Sequence, residues 1–299
     1  MLITILWIDI QNSKKISEMT AKDLKNNYRN IRIVVLCFAI YILLKWFSPF
    51  LIVLDYNFIQ ILIPFIISGI VIFPIVVIGY KLLGDKGNYL EVLGIKGNIK
   101  EGLIVGGVLF LAAWVFSLFP LSFLQNLMYV KSLFYIFINI FVVELCTRAF
   151  FFRKISSYTK WGFFRIILFY VAIYLAVAIV TISVILLFNK DILSGISSYF
   201  KLMQIFSIDV LLKEIFSVIG IFLMLLLTEI FLFWLYMEWN FNFWVVVFAH
   251  LVLTLANDLT FEFLSIEIPV SILLIATGVI GTVLYKQRKG LPLEVKRFW

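Results

Sequence analysis

The chain has a single histidine, His250, two cysteines and six prolines among 299 residues, and only 14% of its residues are charged. Each scarcity excludes something. One histidine with distant carboxylates does not meet the usual three-ligand requirement of a catalytic zinc site, so no metal site is expected. No cofactor site is read from the sequence either. A Ser-His-Asp triad has no credible serine–histidine spacing behind it. The two cysteines form no CxxC pair and no disulfide framework, so Cys37 and Cys146, both inside apolar stretches, read as small core residues. No internal repeat of the kind that marks many transporters is visible.

What is abundant is apolar sequence. Hydrophobic residues make up 64% of the chain and mean hydropathy is +1.10, well above a soluble domain's composition. Apolar runs of about 20 residues, enough to cross a roughly 30 Å hydrocarbon layer, recur from end to end. They lack the alternation of a membrane β-barrel. The expected fold is therefore all-α, a polytopic membrane helical bundle of about eight transmembrane helices, because helices satisfy every backbone polar group in lipid. The expected spans are 31–54, 58–80, 102–124, 132–152, 162–187, 209–236, 241–257 and 264–285. The seventh is short and is expected to be shielded by protein. Prolines at 49, 64, 74 and 120 fall in or at the ends of the first three spans, as kinks that neighbouring helices accommodate.

Net charge is +8, yet no basic domain interleaved with aromatics is present, so no nucleic-acid partner is expected. Most Lys and Arg fall in the N-terminal segment, the 81–101 and 153–165 loops and the tail after residue 285. The opposite side has only Lys131, Lys190, Lys201 and Lys213. The positive-inside rule then puts both termini in the cytoplasm. Residues 1–30 read as a cytoplasmic segment and 31–130 as the N-terminal membrane helices. Residues 131–285 form a membrane core and 286–299 a basic cytoplasmic tail. Leu2–Ile8 is too short for a signal peptide, and 189–209 suits a short interfacial helix.

Ionisable groups inside spans carry most of the functional information, because burying them in lipid is costly. They are Lys45, Glu144, Arg148, Glu229 and His250, with Asn139 and Asn257 as neutral companions. Lys45 reads as a residue that snorkels to the membrane surface. Glu144 and Arg148, at i and i+4, share a helix face and are expected to pair. Glu229 has no basic residue within a helical turn. It is expected to be neutral unless it reaches Arg148, His250 or water.

The segment Val143-Glu144-Leu145-Cys146-Thr147-Arg148-Ala149-Phe150 resembles the EExxxRG motif of the CAAX protease and bacteriocin-processing (CPBP, or Abi) membrane proteins. Phe152-Arg153-Lys154 through Trp161-Gly162 is similar to that family's basic turn. Leu235-Tyr236 through Trp244–His250 resembles the run into its HxxxN motif, and Glu91–Lys96 its LG-containing cytoplasmic turn. The resemblance covers roughly 90–285 and implies an intramembrane glutamate-type peptidase fold. The departures bear on activity. The family's general base falls on Val143, its second-motif histidine on Ile173 and its asparagine on Thr254. Only His250 of four catalytic groups remains.

The resemblance thus implies a catalytically degraded pseudo-protease. Vestigial Glu144, Arg148 and His250, with Glu229, Thr254 and Asn257 as binding candidates, would serve a membrane peptide or protein partner in immunity, regulation or escort. Two alternatives stand beside it. One is a working hydrolase using Glu144 or Glu229 with His250, and the other is a small transporter with a polar path through Glu229, Arg148 and His250. The bilayer of a bacterial cell membrane is the expected setting.

Overall fold

The computed structural model describes residues 21–47, 73–84, 91, 93–116, 130–159, 161–188, 208–260 and 264–293. Leu2–Ile8, Pro49, Pro64, Pro120 and nearly all of the 189–209 segment lie outside these residues. All regular structure among the described residues is helical: α1 Ala21–Phe47, α2 Phe73–Leu82, α3 Ile99–Phe116, α4 Val130–Glu144, α5 Arg153–Thr159, α6 Phe163–Phe188, α7 Ile208–Glu238, α8 Phe243–Thr260 and α9 Leu264–Lys289. A π-helical segment, Leu145–Phe152, joins α4 to α5. Helix α1 begins ten residues before the expected span, so part of the N-terminal segment is already helical.

Three of the helices contain stretches long and apolar enough to cross a membrane: Asn26–Lys45, Phe163–Thr181 and Val270–Lys289. Around the bundle, large apolar side chains such as Leu103 and Leu111 of α3, Leu168 and Ile179 of α6, and Leu223 and Leu225 of α7 are exposed. A water-soluble surface rarely tolerates apolar exposure on this scale, whereas lipid favours it.

The short α8 is the most enclosed helix, packing against α3, α4, α7 and α9. Its contact with α3 depends on two glycines one turn apart, Gly102 and Gly106. A Cβ on Gly102 would come within 2.7 Å of the Trp244 backbone, and one on Gly106 within 2.7 Å of the Phe248 Cβ. Small residues at i and i+4 let two helix backbones approach closely, the usual means of tight packing where lipid removes the hydrophobic incentive.

Gly107 faces open space and is exposed. Gly102→Ala is therefore expected to cost about 1–3 kcal/mol through overpacking, while Gly107→Ala should gain about 0.5–1 kcal/mol from helix propensity. Melting temperatures in one detergent check this. Shifts of the same sign would show that the two helices do not meet at Gly102.

At one end of the bundle, short connections interlock. Helix α7 closes with Asn240 in the left-handed region (φ 52°), Phe241 N–H bonding Tyr236 O at 2.8 Å and Asn240 N–H bonding Met237 O at 3.0 Å. Asn242 then caps α8, its Oδ1 accepting from Trp244 N–H at 3.1 Å, and Asn98 caps α3 in the same way through Lys100 N–H. The two caps are tied together, since Asn242 Nδ2 donates to Asn98 O at 3.0 Å and to Glu101 Oε2 at 2.9 Å.

Lys154 lies over the Tyr80 ring and Arg153 over the Phe241 ring at this same end. Lys286, near the end of α9, bonds Glu238 at the end of α7 at 2.7 Å. Residues 93–101, 153–159 and 238–242 and the α9 C-terminus thus share one face of the bundle.

Candidate functional site

The π-helical segment begins directly after Glu144. Its i→i+5 bonding, represented by Arg153 N–H to Arg148 O, widens the helix by one residue. All eight of its residues are buried, including three consecutive phenylalanines. That is possible because packing surrounds the segment. Phe151 meets Phe38 of α1, Phe150 meets Tyr80 of α2, and Phe152 meets Phe233 of α7. Tyr80 also donates its hydroxyl to Ala149 O at 3.1 Å.

In this wall four ionisable side chains from three parts of the chain converge. Arg148 Nη1 donates to Glu144 Oε1 at 2.9 Å, as the i, i+4 spacing predicts. Its Nη2 donates to Glu229 Oε2 of α7. Nη1 also bonds Thr147 Oγ1 at 3.0 Å, and that hydroxyl is held in turn by Val143 O at 2.6 Å. The guanidinium sits 4.5 Å above the Phe233 ring, a face that favours cations. His250 Nδ1 of α8 lies 2.5 Å from the same Glu144 Oε1. With Glu144 ionised the carboxylate accepts and Nδ1 is the donor of this bond. Nε2 has no hydrogen-bond partner among the described residues.

Glu144 and Arg148 are completely buried, whereas the Glu229 and His250 side chains retain 25% and 19% of their exposure. The cluster is therefore reached past Glu229 and His250. Two of its buried atoms, Glu144 Oε2 and Arg148 Nε, have no partner among the described residues. Buried polar atoms are seldom left so.

The sequence predicts the Glu144–Arg148 contact, names His250 as a vestigial candidate and leaves Glu229 open; the structure joins His250 to Glu144 and Glu229 to Arg148. Lys45, at the end of the apolar stretch of α1, lies half-buried within electrostatic reach of Glu229, Arg148 and Glu144, because α1 packs against the π-helical segment. Asn139 is exposed.

Val143 is buried and Thr254 half-buried, and Ile173 packs against the hydrophobic core. The Asn257 side chain lies outside the described residues. The sequence reading missed the buried Glu238–Lys286 pair, which no local spacing links. It also missed the Asn98 and Asn242 caps, which an asparagine directly before an apolar helix does signal. No three His, Cys, Asp or Glu residues come together as metal ligands among the described residues. Cys37 and Cys146 are both buried thiols.

Comparison with known proteins returns no match, whether to a family model, a curated protein or a solved structure.

Proposed function

We propose that the chain is a CPBP-like integral membrane protein of about eight spans in a bacterial cell membrane, with both termini cytoplasmic and its protease chemistry lost. In this reading the buried cluster binds a polar group of a membrane peptide or protein partner, in an immunity, regulatory or escort role. One observation carries it. His250 and Arg148 both spend a donor on the same Glu144 oxygen, while Glu144 Oε2 and Arg148 Nε stay unpartnered. Such a site offers hydrogen-bonding capacity, while Val143, Ile173 and Thr254 stand where the resembled family has its general base, a histidine and an asparagine.

A second reading rests on the orientation of the imidazole. With Nδ1 on a carboxylate and Nε2 facing a partly open side, Glu144–His250 has the arrangement of a carboxylate–histidine base pair. The two readings separate on activity. Purified protein is expected to leave prenylated and membrane-embedded peptides intact while a crosslinkable partner, captured from the native membrane, is lost on Glu229→Gln. Cleavage abolished by His250→Ala, with melting unchanged, would overturn the pseudo-protease reading in favour of the hydrolase.

A further inference from the structure

The interlocked end of the bundle holds a polar cleft of about 590 Å³, and a smaller apolar pocket of about 120 Å³ lies between α3 and α9. The two share one wall, Trp239. Its indole is fixed by stacking on Tyr285 at 5.0 Å and by donating to Thr282 Oγ1 at 3.2 Å. On α3, Asn98 and Glu101 line the cleft while Ile104, Val105 and Val108 line the pocket. At three to four residues per step, these fall on one continuous helix face. On α9, Tyr285 and Thr282 lead inward to Gly281 and to Gly278, against which the Phe231 ring packs. A Cβ on Gly281 would have nothing within 4 Å.

We infer that this cleft and pocket together form a phospholipid site, with a zwitterionic headgroup of the phosphatidylethanolamine type in the cleft and the start of an acyl chain against α3 and α9. The gradient from polar to apolar along one helix face matches an amphiphile lying across a membrane interface. The tryptophan at the junction is the residue that favours that level.

The headgroup class follows from charge. The cleft is lined by two cations, Lys96 and Arg153, and by two carboxylates, Glu91 and Glu101; Lys96 and Glu91 form a loose, exposed ion pair at 3.8 Å that a zwitterion can exchange with, and Glu101 accepts from Asn242 through one oxygen. A phosphate suits the first pair and an ammonium the second, whereas an anionic headgroup would leave the carboxylates opposed. The inference rests on the membrane placement of the bundle and is independent of the protease resemblance.

The test is reconstitution into nanodiscs of equal phosphatidylethanolamine and phosphatidylglycerol, followed by gentle release and native mass spectrometry. Phosphatidylethanolamine is expected to be retained about tenfold over phosphatidylglycerol. Gly281→Leu, whose Cβ has nothing within 4 Å and whose side chain would occupy the pocket, should cut retention about tenfold with melting unchanged. Gly107→Leu, on an exposed face with open space around it, should not. Glu91→Lys removes one carboxylate from a largely exposed position and should shift preference toward phosphatidylglycerol.

Equal retention of both lipids, or retention indifferent to Gly281→Leu, would overturn the site while leaving the membrane reading intact. Failure of the chain to enter nanodiscs would overturn both.

Discussion

Replacing Arg148 with alanine is expected to destabilise the protein by roughly 3–5 kcal/mol, the usual loss when one member of a buried ion pair is removed. Arg148 is the hub of the cluster. It bonds both Glu144 and Glu229, and its guanidinium covers the Phe233 ring. Its loss leaves two carboxylates facing one another in a closed wall, and Glu144 then has only His250 as a donor among the described residues. Arg148→Lys should rescue little, because a point-like ammonium cannot span two carboxylates in fixed directions as the guanidinium fork does. The measurement is thermal unfolding in detergent, with exposed Lys289→Ala as the reference. Equal melting temperatures for Arg148→Ala and Lys289→Ala would disprove the buried cluster. Recovery of Arg148→Ala by adding Glu229→Gln would show that repulsion between carboxylates, not lost ring packing, makes up most of the cost.

The second large effect is predicted at the interlocked end. Lys286 Nζ donates to Glu238 Oε2 at 2.7 Å and to Pro292 O at 3.2 Å, with the two charged side chains only 7% and 1% exposed. Lys286→Met removes the charge that neutralises the Glu238 carboxylate and the bond to Pro292 O. A loss of about 3–5 kcal/mol is expected, on the scale of a broken buried pair. The double change Glu238→Gln with Lys286→Met should be much less harmful, since two neutral groups of similar shape avoid the stranded charge. If the double variant melts as low as the single one, the lysine acts by packing and by its bond to Pro292 O, not by neutralising Glu238.

Some of this was legible in the sequence. Glu144 and Arg148 sit at i and i+4, and their contact follows from helix geometry alone. The start of α6 at Phe163, of α7 at Ile208 and of α9 at Leu264 agrees with where apolar runs begin, because a continuous apolar stretch admits few other backbone solutions in lipid. The enclosure of α8 was also foreshadowed, since an apolar segment too short to span comfortably is best covered by neighbouring helices.

Other features were not legible, for specific reasons. Glu229 lies 81 residues from Arg148, and no periodicity within α7 reports which neighbouring helix its polar residue will face. Lys45 carries the same ambiguity: the sequence shows a lysine within an apolar run, and only the packing of α1 against the π-helical segment decides whether it turns inward. The π-helical step is surrounded by aromatic packing around Phe150–Phe152, with no local proline or glycine to announce it.

By itself, then, the sequence determined the helical class, the apolar character of the segments and the local Glu144–Arg148 pair, because these depend on composition and on contacts within one helix. The tertiary structure decided that Glu229 and His250 complete that pair, that Lys45 joins their electrostatic field, and that two glycines on α3 receive α8. Those outcomes depend on how helices rotate and approach one another. Side chains distant in sequence fix that approach when they satisfy each other's buried charges and fill each other's spaces.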